Sequence, residues 1–171
     1  MTMLQMLHDE GHAITALSVN YHQPHVQEIE WARWHARRLN IIHHTIEIPE
    51  LGGLTKESWI VPNRNAILLS LAVNMAIIAK ADTVTIGCNA DDADYFPDCR
   101  AGFICTMNEA VISAGYEIEI CAPFIDWPKW KIGALAKEMG IKVSEIWSCY
   151  EGGAKPCGKC PACLKLEAAL K

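Results

Sequence analysis

Four cysteines within fifteen residues, Cys149, Cys157, Cys160 and Cys163, constrain this chain more than any other feature. They lie in the run Cys-Tyr-Glu-Gly-Gly-Ala-Lys-Pro-Cys-Gly-Lys-Cys-Pro-Ala-Cys, whose last three cysteines make two overlapping C-x-x-C steps. Four thiolates from one short loop close a tetrahedron around a soft divalent ion, with each sulfur about 2.3 Å from zinc. Gly152, Gly153 and Gly158 let the backbone wrap the ion, and Pro156 and Pro161 stiffen the wrap. A redox C-x-x-C pair or a disulfide is the alternative reading. Four clustered cysteines in a chain without a signal peptide argue against both. With every position held by protein, such a zinc is structural and leaves no site open for chemistry.

The rest of the chain reads as strands alternating with helices. Helices are expected over Thr2–Glu10, Pro24–Leu39, Arg64–Lys80, Cys99–Ala114, from Asp126 and Pro128 to Gly140, and over Pro161–Leu170. Strands are expected over His12–Asn20 and Thr83–Gly87, both read as buried, and over Ile41–Ile48 and Tyr116–Cys121. Residues 49–62 read as an irregular loop and 88–98 as an acidic one. This alternation predicts βαβ units and a parallel sheet in an α/β fold. One domain of 171 residues is expected, with a core over 1–147 and a zinc loop and helix over 148–171.

Composition narrows the partners. Fifteen basic residues against twenty acidic give a net charge of −5, and only Arg37-Arg38 forms a basic cluster. Polynucleotide binding calls for a basic surface, so a small-molecule substrate is favoured. The longest apolar run, Ile67 to Ala79, is too short for a membrane span, and the first residues lack signal-peptide features. A cytoplasmic location follows as the expectation, with Cys88, Cys99, Cys105 and Cys121 reduced and read as small core side chains.

Ligands of parallel α/β sheets sit at the carboxyl ends of the strands, which directs attention to Tyr21–His25, Leu51–Arg64, Gly87–Arg100 and Ala122–Lys131. The third of these carries four carboxylates in fourteen residues. It is either a solvated acidic loop or a magnesium–phosphate site, since hard cations choose carboxylates. The seven histidines all precede residue 45 and none has metal-ligand spacing.

Several of these loops match one family together. Tyr21-His-Gln-Pro-His25 with Glu28, Val61-Pro-Asn-Arg-Asn65, Gly87-Cys-Asn89, Asp92, Pro97-Asp-Cys-Arg100, Pro123 and the cysteine loop occur in the order found in 7-cyano-7-deazaguanine synthases. The chain resembles that family of the PP-loop ATP-pyrophosphatase superfamily along essentially its whole length. The resemblance implies a three-layer, HUP-type adenine-nucleotide alpha-hydrolase-like fold with a C-terminal four-cysteine zinc extension. It implies ATP-dependent conversion of 7-carboxy-7-deazaguanine and ammonia to the nitrile, through an adenylated carboxylate and an amide. Zinc at the four cysteines, ATP, magnesium and a homodimer are implied with it, and no direct nucleic-acid partner.

By the same resemblance Arg64 and Gly87 are ATP contacts, and Tyr21, His25, Asn65, Asp92, Asp98 and Arg100 are substrate contacts. Arg64 offers a planar fork to phosphate or adenylate oxygens. Asp92 and Asp98 would hold magnesium or the base, and Arg100 the substrate carboxylate. Asp98 reads equally well as an N-cap of the helix expected from Cys99. No catalytic residue is assigned: Cys99 has no paired base among its neighbours.

Three departures stand out. The family has glycine at the positions of His22 and Asn63, and arginine at Pro24. Its S-G-G-x-D-S phosphate loop would fall just before Met1, after a first strand central to a 3-2-1-4-5 sheet. Without that strand, two sheet neighbours are expected about 9–10 Å apart with unpaired edges, an arrangement not expected to fold stably. Poor ATP activation is expected with it. A truncated or wrongly started enzyme, a rearranged sheet, a strand supplied by a partner, and a zinc protein that binds the base without turning over ATP remain open readings.

Overall fold

A computed structural model describes residues 1–52 and 61–169. The chain forms two compact units, one made of 1–61 with 130–171 and the other of 62–129.

In the first unit, α1 (Thr2–Asp9) is followed by β1 (Thr15–Asn20), α2 (Gln27–Arg38), β2 (Ile42–Glu47) and a single turn, α3 (Pro49–Gly52). β1 and β2 are parallel, in register from Thr15 opposite Ile42 to Asn20 opposite Glu47. The helix between them is the crossover that a parallel pair requires. α2 buries Ile29, His35 and Ala36. The His35 ring is almost wholly enclosed, and its Nε2–H donates to the carbonyl oxygen of Glu145 at 2.7 Å. Burial lowers its pKa, so the ring stays neutral and acts as a tether. α1 buries Gln5, while Leu4, Met6 and Leu7 stay half-exposed. Gln5 donates to Asp9 and accepts from Arg38, which satisfies its buried amide.

In the second unit, α4 (Arg64–Ala79) leads to β3 (Thr83–Thr85), a single turn α5 (Ala90–Ala93), a 3₁₀ turn (Pro97–Cys99), α6 (Ala101–Ser113) and β4 (Glu119–Cys121). β3 and β4 are parallel. Leu69, Val73 and Ala76 recur on one face of α4 and meet Val84, Ile104, Val111, Ile118 and Ile120 in a continuous core. The Asn108 side chain accepts the N–H of Ile120 at 2.8 Å, so a polar residue of α6 closes one end of β4. The chain ends with α7 (Lys129–Glu138), a 3₁₀ turn (Val143–Glu145) and α8 (Pro161–Ala169).

The α/β alternation and parallel pairing agree with the sequence, but the strands do not form one sheet. The described residues hold two separate two-stranded parallel pairs, one in each unit. β1 accordingly has one buried residue, Val19, where a buried strand was expected, because among the described residues it pairs on one edge only. The helix expected from Cys99 begins instead at Ala101, since the Pro97–Cys99 turn is left through an extended Arg100 (φ −86°, ψ 150°). The loop expected over 49–62 opens with a helical turn, and its residues 53–60 lie outside the described residues.

His22 and Asn63, the two positions where the resemblance implies glycine, both have left-handed backbones, with φ of 59° and 56°. A Cβ in that region costs about 1–2 kcal/mol, and Asn tolerates it better than His. The exposed pair of His22 with Glu47, at 3.7 Å, offsets little of this. We expect His22→Gly to raise stability by about 0.5–1 kcal/mol in thermal unfolding, after allowing for the chain entropy of glycine. The gain at Asn63→Gly should be smaller. Destabilisation by His22→Gly would show that the imidazole holds the turn by a contact worth more than the strain.

Candidate functional site

The motif residues gather in two clusters, one in each unit. In the second unit, Asn65 joins the start of α4 to the Pro-Asp-Cys-Arg turn. Its backbone N–H donates to Asp98 Oδ2 at 3.0 Å, and its side-chain Nδ2 donates to the Asp98 carbonyl at 2.9 Å. Asp98 is therefore a cap, but of α4 and not of α6. A carboxylate supplied by a distant turn takes one of the N–H groups that every helix leaves without an internal partner. The same Asn65 Nδ2 lies 3.3 Å from the sulfur of Cys99 and 3.9 Å from that of Cys88. The hydrogen bond between the two thiols, followed by burial, pushes Cys88 up, and the same bond draws Cys99 down.

A second group lies on the same loop. Asn89 is 4% exposed; its Nδ2 donates to Asp92 Oδ2 at 2.5 Å, and its Oδ1 is buried without a hydrogen-bond partner. Lys129 donates from Nζ to Asp92 Oδ1 at 3.2 Å, and its backbone N–H donates to Asp91 Oδ2 at 3.0 Å. Arg100 Nε donates to the Ala93 carbonyl at 2.9 Å, which pins its stem while the side chain stays exposed. Arg64 is the first residue of α4, and a Cβ placed on Gly87 would meet no atom within 4 Å, so the space beside that glycine is open. Asn89 and Lys129 were absent from the sequence-derived set. Lys129 lay in one of the four loops singled out, and Asn89 in the quoted Gly-Cys-Asn run, but nothing in the sequence paired either with Asp92.

In the first unit, the Tyr21–His25 loop meets the cysteine loop. Tyr21 and His25 are 4% and 6% exposed. Gln23 shapes this turn: its Oε1 accepts the N–H of Tyr21, and its Nε2 donates to Val19 and Glu28. The His25 ring packs edge-on against Tyr150, with centroids 5.8 Å apart. Gly152, in the left-handed region at φ 68°, passes so close to Pro24 that a Cβ would lie 2.2 Å from its carbonyl oxygen.

The four sulfurs of Cys149, Cys157, Cys160 and Cys163 lie within 4.8 Å of one another. A zinc tetrahedron with bonds of about 2.3 Å has sulfur–sulfur edges of about 3.8 Å. The 4.0 Å between Cys157 and Cys163 is already near that length. Backbone N–H groups of Cys157 and Cys160 donate to the sulfurs of Cys149 and Cys157 at 3.3 Å, the outer-shell bonds that orient thiolate ligands. Donors from the backbone at Lys159 and Cys160 hold the Cys157 thiol down at about 7, whereas burial pushes Cys163 up. The donor set and spacing fit one soft divalent ion. A separate groove of about 650 Å³, lined by Trp31, Trp34 and Trp147, borders the cysteine loop at Ala154 and Pro156 but contains none of the residues assigned to ATP, substrate or zinc, and is not the candidate site.

The family model described as queuosine biosynthesis protein QueC matches residues 1–60 and 53–171, which together span the whole chain. The chain belongs to the QueC family. It is 38% identical to the 7-cyano-7-deazaguanine synthase of Hahella chejuensis, over 98% of this chain and 82% of that protein. The synthases of Pseudoalteromonas atlantica and Caldicellulosiruptor saccharolyticus are 36% and 33% identical, over 98% and 99% of this chain and 87% and 85% of theirs. The QueC relatives align over 189 to 192 positions against a chain of 171, so they carry extra residues inside the matched stretch. Among the described residues, no helix is long and apolar enough to cross a membrane.

Proposed function

We propose that this chain is a carbon–nitrogen ligase that forms 7-cyano-7-deazaguanine from 7-carboxy-7-deazaguanine and ammonia, at the expense of ATP. The observation that carries the reading is the similarity to synthases of that name over nearly the whole chain, a span that includes Pro97-Asp-Cys-Arg100 and the cysteine loop. A free carboxylate is a poor electrophile. ATP supplies the activation: adenylation of the carboxylate lets ammonia displace AMP and give the amide, and activation of the amide oxygen lets it leave as the nitrile forms. Such steps are served by positioned charge and donors and need no covalent nucleophile.

Within this reading Asn89 and Asp92 take the base. A buried amide oxygen lacking a donor, beside a carboxylate, has the polarity that the N–H edge of a guanine-like ring satisfies. Lys129 already balances the charge of Asp92, which favours the base over a magnesium ion at that carboxylate. Asp98, held by Asn65, positions Arg100 for the substrate carboxylate, while Arg64 and Gly87 face ATP and its magnesium. Zinc sits at the four cysteines and serves only to hold the loop. The wider fold of this proposal is the three-layer PP-loop type, to which each unit contributes one parallel pair. A homodimer in the cytoplasm completes the proposal.

Calorimetry of the zinc-loaded chain with 7-carboxy-7-deazaguanine tests the base site, and mass analysis after adding ATP, magnesium and ammonia tests the reaction. Binding followed by formation of the nitrile is expected. Asp92→Ala should weaken base binding about 10- to 100-fold, as loss of a charge-assisted hydrogen bond does. Binding without consumption of ATP would favour a base-binding homologue, and absence of binding would overturn the assignment.

A further inference from the structure

Cys88 and Cys99 were expected to be small, inert core residues, and their placement gives them another capacity. Cys88 follows β3 and is 5% exposed; Cys99 closes the 3₁₀ turn eleven residues later and is partly exposed. The two sulfurs flank one Asn65 amide nitrogen, which lies 3.9 Å from Cys88 and 3.3 Å from Cys99. Cys99 takes the shorter of the two contacts and is the more accessible sulfur of the pair. Cys88 is the enclosed partner beside the same amide. An accessible thiol beside a second thiol is the arrangement that stops oxidation at a reversible disulfide.

We propose that Cys88 and Cys99 form a reversible, peroxide-driven disulfide in the QueC fold of this chain. The Cys99 sulfur attacks a hydroperoxide: an S–O bond forms, the O–O bond breaks, and hydroxide leaves and takes up a proton. The Cys88 sulfur then attacks Cys99, forming the S–S bond and expelling the oxygen as water with the Cys88 proton. One hydrogen peroxide and two thiols give one disulfide and two waters, and a dithiol reverses the step. Closure brings the two sulfurs from either side of the Asn65 amide to about 2.05 Å. The intervening residues include two single helical turns joined by irregular chain, which can absorb the movement. The bridge draws Cys99 from Asn65, the side chain that also fixes Asp98, so it bears on the proposed substrate loop. Its formation does not depend on that function.

The sequence supplies a direct test. Trypsin cuts after Lys80 and Arg100 and nowhere between, so both cysteines fall in one peptide, 81–100, with no other cysteine. The zinc-loaded full chain is treated with hydrogen peroxide, its free thiols are alkylated, and it is digested. Peptide 81–100 should appear unalkylated and lighter by two hydrogens, and dithiothreitol before alkylation should restore two reactive thiols. In Cys88→Ser the bridge should vanish and a dimedone adduct should appear on Cys99. Full alkylation of 81–100 under conditions that already oxidise the exposed Cys105 would overturn the proposal. So would bridges from Cys88 or Cys99 to other cysteines, or equally fast bridging in urea-unfolded chain.

Discussion

Removing metal from Cys149, Cys157, Cys160 and Cys163 is expected to unfold the chain from about Trp147 to Ala169 and to lower global stability sharply. The reason is the composition of that region's core. Its buried members are Cys149, Cys160 and Cys163, with Trp147, Tyr150, Cys157 and Ala162 packed around them. Among the described residues, no separate apolar cluster of this loop stands in when the sulfurs lose their ion. Between Ile146 and Pro161 there is also no helix or strand to hold the backbone. Structural zinc in small cysteine sites contributes on the order of 10 kcal/mol of apparent binding free energy at neutral pH, and that energy is available only to the folded loop. Cys149→Ser, at a fully buried ligand, should lose most of this effect, while Cys105→Ser, on the exposed face of α6, should lose none. Metal binding displaces thiol protons, and Cys157, held down at about 7, takes up a further one as pH falls through that value. Affinity should therefore fall more steeply with pH below about 7 than above it. Elemental analysis near one zinc per chain, together with hydrogen exchange over 147–169 before and after chelation, checks the claim. Unchanged protection after complete metal removal would refute it.

What could be read from sequence was what is local. The cysteine loop declared itself because its four ligands lie within fifteen residues, so spacing alone brings them together. α4 and α2 were placed to within a few residues because their apolar stripes are long. The strands of the second unit were overestimated: Thr83–Thr85 and Glu119–Cys121 are three residues each, and the adjoining apolar residues continue into loops. The alternative reading of Asp98 as a cap of the helix expected from Cys99 fails for a different reason. Its position before a helix made a local cap reasonable, but its carboxylate reaches the first turn of α4, thirty-three residues earlier. A capping acceptor and a helix start carry no mark of which belongs to which. Lys129 and Asp92 met the same obstacle across thirty-seven residues.

The backbone gives physical meaning to His22 and Asn63, the positions where the resemblance implies glycine. As sequence they were two missing glycines whose effect on backbone approach was open. Their φ values show that the demand at both positions is conformational: the chain keeps a left-handed turn at the ends of the β1 and pre-α4 segments with residues that adopt it at a cost. The turn at His22 is held in part by Asn20, whose Oδ1 accepts the His22 N–H at 3.0 Å. The left-handed backbone is adopted at both positions by residues other than glycine.

Gly152→Ala is expected to be far more damaging than the same change at its neighbour, Gly153. Both residues have positive φ, 68° and 89°, so both substitutions carry the left-handed penalty of about 1–2 kcal/mol. Only Gly152 faces a wall. A Cβ there would lie 2.2 Å from the carbonyl oxygen of Pro24 and 3.2 Å from its carbon, whereas at Gly153 the nearest atom is the Lys155 oxygen at 4.0 Å. Backbone atoms cannot rotate aside as a side chain can. The cysteine loop and the Tyr21–His25 turn would have to separate by an ångström or more, at an overpacking cost of a further 1–3 kcal/mol, roughly. Gly152→Ala should therefore lose about 2–5 kcal/mol in total, and Gly153→Ala only the conformational part. The separation would also pull Tyr150 from the His25 ring it packs against, while zinc stoichiometry is kept. Unfolding of the two zinc-loaded variants, side by side with their zinc content, isolates this contact. Equal losses at 152 and 153 would mean that the close approach to Pro24 is not what seats the metal loop.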